Sequence, residues 1–444
     1  MTELPLTERP PTEPTARQGK LHVLVSKVSR NWATIFPTLW GPALGMLGLA
    51  LGTRLVTEVT SAETFGSVKL AHGALGLGVA LLARPFAQFT MRAFHDARAS
   101  GDEHTFLGFV DQVGKRVGAL VALLVGLGLI ACSALGLPVS WAAAGLMVPV
   151  TFIEIALTIE SSLAQTRNEQ RLVSVLDVAR QWVLPLFTVG FVCAFADSPV
   201  VFLAAQLVFL LLAWTAFLRA TRHHVKTPPA AEQVRTWTSQ ARSYAGPIVL
   251  SGACNWVLAL GDRFLLAHYS TPDEVGRYSA VYGLMSTPIV VVGATLARIF
   301  YPFVFRSASL GRAGETRSML IGMALVSGGV GLVAVLVTAL FGETILGVAL
   351  ASKYLEGANR WIIWIAGGNA FLIVSYALDL KVYADKATST FMYAAGLGAA
   401  VNLALNFTLI PTRGAEGAAI ATFFGYASYL AVIGSILWRR SKSE

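Results

Sequence analysis

Charge and cysteine are both scarce in this chain. Asp, Glu, Lys and Arg make up 13% of its 444 residues, against roughly 25% in an ordinary soluble domain. The first long apolar stretch, 34–53, has none of the four, so it offers no acidic group of the kind that couples ion flow on the first helix of a drug/cation antiporter. The three cysteines, Cys132, Cys193 and Cys254, fall inside apolar stretches without CxxC spacing. They read as buried thiols and argue against a disulfide framework or a thiolate metal site. HExxH, a glycine loop followed by lysine and a loop with paired carboxylates are missing as well. A membrane enzyme such as a sugar polymerase or glycosyltransferase needs such groups gathered in a sizeable loop, so neither an enzyme nor a resident cofactor or metal is expected.

What is present is apolar surface. Hydrophobic residues make up 55% of the chain, and the mean hydropathy is +0.62. A bilayer core of about 30 Å needs ~20 helical residues to cross it. Candidate spans lie at 34–55, 65–88, 117–136, 140–162, 174–195, 199–219, 245–268, 277–300, 318–341, 361–379, 389–410 and 416–437. These are solid stretches rich in Gly and Ala, not the alternating ten-residue segments of a membrane β-barrel. The expected fold class is an all-α integral membrane protein of twelve transmembrane helices in two pseudo-symmetric six-helix bundles. Its expected parts are a cytoplasmic tail, 1–33, a first bundle, 34–219, a basic linker, 220–244, a second bundle, 245–437, and a tail, 438–444.

Orientation follows from the basic residues. With both termini in the cytoplasm, only Arg54, Lys69, Arg263, Arg277, Lys353, Arg360 and Arg413 of the 34 lie toward the other side, as the positive-inside rule requires. The net charge of +9 is thereby explained without nucleic acid. The opening residues, with Glu3, Glu8 and several prolines, do not form a signal peptide. From Gly19 onward, Leu21, Leu24, Val25 and Val28 face away from Lys20, Lys27 and Arg30. That spacing suits either a helix lying on the membrane surface or an extension of the first span. Tyr354, Trp361 and Trp364, in and after the longest outer segment, have the character of an interfacial aromatic anchor.

The chain is also duplicated. Thr60-Ser61-Ala62-Glu63-Thr64-Phe65-Gly66 recurs 210 residues later as Ser270-Thr271-Pro272-Asp273-Glu274-Val275-Gly276, each copy between two apolar runs. Leu82-Ala83-Arg84-Pro85-Phe86 has its counterpart in Leu296-Ala297-Arg298-Ile299-Phe300. Repeats of one orientation imply halves related by an axis along the membrane normal.

The second half carries the more distinctive text. Gly261-Asp262-Arg263-Phe264-Leu265-Leu266, then Ser270 to Ala280, Ser352 to Ala358, Asn402 to Asn406, Leu409-Ile410-Pro411, Gly414 and Gly417 to Thr422 together resemble the Wzx-type polysaccharide flippases of the MATE/oligosaccharidyl-lipid/polysaccharide exporter (MOP) superfamily. That resemblance implies a transporter that turns a polyprenyl-diphosphate-linked oligosaccharide across the bacterial inner membrane by alternating access. It also implies lipid contacts and work beside a polymerase and export machinery.

Charges inside spans are costly and point to function or pairing. An anionic diphosphate suits Arg54, Lys69, Arg263, Arg84, Arg298 and Arg180, where Arg54 and Arg263 hold near-equivalent places in the two halves; for Arg54, Lys69 and Arg263, near the interfaces, snorkelling to the headgroups is the alternative. For Arg84, Arg180 and Arg298, anchoring at the inner interface is the plainer role. Glu154, near mid-bilayer, with Glu160 and Asp262, are the candidate coupling groups for H+ or Na+; Asp262 has the alternative of pairing with a nearby cation. His72 and Asn255 are weaker candidates.

The topology has a direct check. A cysteine placed at Ala230 in a background lacking Cys132, Cys193 and Cys254 should not react with an impermeant reagent in intact cells. Labelling there would overturn the arrangement with both termini inside.

Overall fold

The computed structural model describes residues 32–443 apart from 386 and 388. The expected tail and surface helix, up to Arg30, lie outside the described residues. The chain divides into two units, Met1–Leu44 and Gly45–Glu444; the described part of the first is helical, and the packing below belongs to the second.

Thirteen α-helices are described: α1 (Trp32–Val59), α2 (Ala62–Gly78), α3 (Arg84–Ala99), α4 (Glu103–Ala134), α5 (Trp141–Thr166), α6 (Gln170–Ala194), α7 (Pro199–Thr221), α8 (Ala231–Trp256), α9 (Asp262–Tyr269), α10 (Pro272–Ser309), α11 (Ala313–Ala349), α12 (Ile362–Ala384) and α13 (Ser389–Ser443). π-helical turns at Val79–Ala83 and Val257–Gly261 join α2 to α3 and α8 to α9. Ten described helices are long and apolar enough to cross a membrane. The last, α13, is broken at Gly414, whose φ of 54° a side chain would resist, beside Pro411. Dividing α13 there and adding α1 gives the twelve crossings expected. The end of the bundle holding turns 60–61, 270–271 and 350–361, poor in basic residues, is called outer below, and the opposite end inner.

Caps set the helix starts. Ser61 Oγ accepts from Thr64 N, and the repeat-equivalent Thr271 Oγ1 accepts from Glu274 N, both at 3.2 Å. Each satisfies a backbone donor that the helix leaves free. Pro272 at the first position and Asp273 and Glu274 in the first turn strengthen the start of α10.

The repeat has a structural meaning. A Cβ on Gly66 would come within 2.2 Å of the Pro272 carbonyl oxygen, and one on Gly276 within 1.8 Å of the Ala62 carbonyl oxygen. Position 272 is the repeat partner of position 62, so each glycine meets the other copy's equivalent carbonyl. This reciprocal contact is what a two-fold axis produces. α2 and α10 therefore cross backbone to backbone at the outer end, a small-residue approach that bilayer helices use because no hydrophobic force drives them together. Gly48 against Trp182 and Gly52 against Pro185 bring α1 onto α6 in the same way.

The basic connection between halves is ordered. α8 already begins at Ala231, so the expected linker is irregular only over 222–230. That segment lies on α4: Thr227 N donates to His104 O at 3.0 Å, and a Cβ on Gly108 would sit 1.9 Å from Thr227 O. Lys226 Nζ reaches Asp111 at 3.1 Å and Glu160 at 2.8 Å. Burial there would lower the lysine pKa, but the two carboxylates outweigh it and raise it. Trp237, on the first turns of α8, packs on Phe106 and Phe109, and Tyr244 meets Phe89.

Gly276→Ala should cost about 1–3 kcal/mol through forced overlap, whereas Gly283→Ala, with open space around it, should be neutral or slightly stabilising. Thermal unfolding of the two purified variants checks this. Equal melting temperatures would refute the crossing.

Candidate functional site

Where α2 of the first half meets α8, α9 and α10 of the second, the polar groups of the apolar interior converge. Trp256 Nε1 donates to Gly73 O at 2.8 Å, and Phe264 lies where a Gly73 side chain would be, so α2 and α9 run side by side. Asp262 and Arg263 are both buried. Arg263 Nη1 reaches Asp262 Oδ1 at 3.2 Å and the Ala259 carbonyl at 2.7 Å. The Tyr278 hydroxyl donates to Asp262 Oδ2 at 2.6 Å, and Thr422 Oγ1 lies 3.4 Å from the same oxygen. The guanidinium sits 4.9 Å from the Tyr282 ring centre and 5.7 Å from that of Tyr278, in cation–π range. Asp262 thus has the cation partner that its sequence position allowed for.

Lys69 approaches from the other half. It is partly buried, with Nζ 4.8 Å from the Phe65 ring centre and within electrostatic reach of Arg263 and His72. His72 Nε2 is 2.7 Å from Gln206 Oε1. The seam therefore joins Lys69 and His72 from one half to Arg263 and Asp262 from the other. With two basic side chains, Lys69 and Arg263, against one carboxylate, it suits an anion that supplies the missing charge. Behind it a buried ladder continues: Asn402 Nδ2 lies 3.4 Å from Thr422 Oγ1, and Asn406 Nδ2 donates to Asn402 Oδ1 at 2.9 Å. Asn406 Oδ1 has no hydrogen-bond partner among the described residues.

Arg54 lies elsewhere. It bonds the carbonyls of Gly347 and Leu350 at the end of α11 and pairs with Glu58. Around it the segment after α11 clasps the first half. Ala351 N donates to Thr57 Oγ1 at 3.1 Å and Lys353 Nζ to Glu58 O at 3.2 Å. The Tyr354 hydroxyl reaches the carbonyls of Thr60 and Ser61 at 3.1 and 2.9 Å. Its ring stands edge-on to Phe65, with centroids 5.7 Å apart. Trp361 stacks on Tyr278 at 5.6 Å. Tyr354 and Trp361 are thus buried within the protein and are not an anchor at the lipid headgroups. Together with the glycine crossing they seal the outer end.

The remaining charged candidates sit deeper or at the inner end. Arg180 Nη2 is 2.6 Å from Glu154 Oε2, so this carboxylate has a guanidinium partner from α6. Glu160 belongs to the Lys226 contact. Arg84 and Arg298, the second repeat pair, are exposed and make no ion pair among the described residues; Asp177 lies within electrostatic reach of Arg298 and Arg180. Asn255 is exposed. Tyr278 and Thr422 entered the sequence reading only within motif stretches, without a role, and Gln206 and Asp177 escaped it, as did Asp379, which accepts from the Tyr429 hydroxyl at 2.8 Å. An intramembrane carboxylate was signal enough for Asp177 and Asp379; the neutral partners carry none.

The fold is that of the MOP-type membrane transporters. A variant of the Vibrio cholerae MATE transporter VcmN superposes with a TM-score of 0.64 at 14% identity, over 94% of this chain and 99% of that one. An inward-facing multidrug resistance MATE transporter of the MOP superfamily gives 0.65 at 12%, over 90% and 98%. The lipid II flippase MurJ in an inward closed conformation gives 0.63 at 14%, over 90% and 86%. No curated protein sequence matches the chain. The family model for polysaccharide biosynthesis proteins matches residues 37–308, and the chain belongs to that family.

Tyr354→Phe keeps the ring contact and removes the bonds to Thr60 and Ser61, a loss of about 1–2 kcal/mol. Hydrogen–deuterium exchange should rise in peptides covering 350–361 and 58–66 and stay unchanged in α5. Unchanged exchange at the outer end would show that the hydroxyl does not hold the clasp.

Proposed function

We propose that this protein is a Wzx-type flippase: it moves a polyprenyl-diphosphate-linked oligosaccharide across the bacterial inner membrane by alternating access. The observation that carries this is the placing of Lys69 and Arg263 from opposite halves at one seam, inside a member of a polysaccharide biosynthesis family. A diphosphate is a compact dianion, and cations in a desolvated seam bind it more strongly than they would in water. Arg263 can present its planar fork to two oxygens, and Lys69 contributes a mobile point charge. Arg84 and Arg298, exposed at the inner end, are suited to drawing the anion in. Arg54 and Arg180 serve instead as structural partners, and Glu154 and Glu160 are occupied by ion pairs.

Asp262 is the coupling group on this reading. Protonation or Na+ binding there would loosen Arg263 toward substrate, and the Asn402–Asn406–Thr422 ladder supplies further oxygens. The termini face the cytoplasm, and the working partners are the lipid-linked substrate, membrane lipids, and polymerase and export machinery. A MATE-type drug antiporter is less well supported, since residues 34–53 of the first helix include no acidic group and the seam is cationic.

Depletion of the protein should leave a lipid-linked oligosaccharide in the cytoplasmic leaflet, identifiable by mass spectrometry. At matched protein levels Lys69→Ala should lower export on the order of tenfold, as loss of one charged contact does. Arg263→Lys should retain more export than Arg263→Ala. Drug efflux without accumulation of a lipid-linked glycan would instead establish the antiporter. Wild-type export from the Lys69→Ala, Arg263→Ala double variant would remove the seam from the mechanism.

A further inference from the structure

At the inner end, away from the seam, three metal-ligating side chains converge on one point. His224 Nε2 lies 2.5 Å from Glu169 Oε1, and His223 Nε2 lies 3.8 Å from the same oxygen. All three donor atoms fall within 4.8 Å of one another. Two histidine nitrogens and a carboxylate oxygen at that spacing form the donor set of borderline divalent ions, zinc above all, which binds imidazole nitrogen and carboxylate oxygen at roughly 2.0–2.2 Å.

The backbone on both sides presents these groups. α5 ends in a left-handed residue, Asn168 with φ 63°, and Glu169 N bonds Ala164 O at 2.8 Å, which closes the turn rigidly. Glu169 then occupies the cap position of α6, yet its side chain makes no capping bond. The carboxylate is turned away from the helix donors toward the histidines. Arg167, with a side chain 5% exposed, holds the other oxygen, Oε2, at 3.4 Å, leaving Oε1 for a single metal bond; outer partners orient ligating carboxylates in this manner. Across from it, α7 ends at Thr221, and His224 N bonds Thr221 O at 3.1 Å. The turn after α7 places the two imidazoles 4.0 Å apart, centre to centre, with both Nε2 atoms near one oxygen.

We propose that Glu169, His223 and His224 bind one zinc-class divalent ion, which fastens the start of the 222–230 connection to the α5–α6 turn. The ion adds a third attachment to the two the connection already has, at His104 and at the Lys226 carboxylates. Bound metal holds the first half and its exit as one body, and loss of metal frees Arg222 and the residues after it.

The test uses full-length protein purified without a polyhistidine tag, stripped with chelator and titrated with Co2+ and Zn2+ against a chromophoric competitor. One site per chain is expected, with a Co2+ spectrum lacking thiolate charge transfer. Zn2+ affinity should fall more than about 100-fold in Glu169→Gln and in His224→Ala, and roughly 10-fold in Arg167→Ala, the outer partner. Stoichiometric Zn2+ should also slow tryptic cleavage after Arg222 in the wild type but not in His224→Ala. Three results would overturn the site: a wild type that retains no stoichiometric metal, leaving only a histidine–carboxylate hydrogen bond; a Co2+ spectrum dominated by thiolate, which places the ion at Cys132, Cys193 or Cys254; and an affinity unmoved by all three substitutions. The wild-type titration alone decides the first two, so a poorly folding variant leaves the answer intact.

Discussion

A carboxylate and a guanidinium buried in a bilayer protein must be matched to each other and to further hydrogen-bond partners, since either one alone would be several kcal/mol too costly. Asp262 and Arg263 meet that requirement with groups from three directions: Tyr278 from α10, Thr422 from the second part of α13, and the Ala259 carbonyl from the π-helical turn before α9. The requirement therefore fixes where α9, α10 and α13 stand relative to one another. It also places the guanidinium against the Tyr278 and Tyr282 rings. The pair can be modulated only by something that replaces one of its members, an anion for Arg263 or a proton or cation for Asp262.

The two ends of the bundle are built on different principles. The outer end is joined by backbone contacts, glycine against carbonyl and tyrosine hydroxyl against carbonyl, with no ion pair needed to bring α2 onto α10. The inner end carries charge: Lys226 between Asp111 and Glu160, Arg180 on Glu154, and Glu169 with its histidines. The inner contacts are half-buried pairs between a few flexible side chains, while the outer backbone contacts are close-packed and costly to open. Opening at the outer end accordingly demands a large compensating free energy.

The spans were legible because a bilayer demands long apolar helices. Gly414, read as part of a joining stretch, breaks α13 where the eleventh and twelfth spans were separated. Partners were much less legible. Arg54 and Arg263 occupy near-equivalent sequence positions, yet one binds carbonyls almost three hundred residues away and the other its own neighbour. Nothing local distinguishes those fates. Tyr354 and Trp361 were misread for a similar reason. An aromatic residue beside a span end has the same sequence character whether its amphipathic ring meets a lipid headgroup or another protein surface. Glu154 was singled out as an intramembrane carboxylate, but its guanidinium partner, Arg180, lies on a different helix, and only packing reveals it.

The duplication was easiest to read at the spot where the two copies touch, and the reciprocal glycine contact explains that. A mutation at Gly66 is judged against the carbonyl of Pro272, and a mutation at Gly276 against that of Ala62. Elsewhere each copy packs against surroundings of its own and can drift alone. At the crossing, each copy is the other's environment. Substitutions at Gly66 and Gly276 are therefore constrained jointly, the backbone of each half limiting what the other can carry at the crossing.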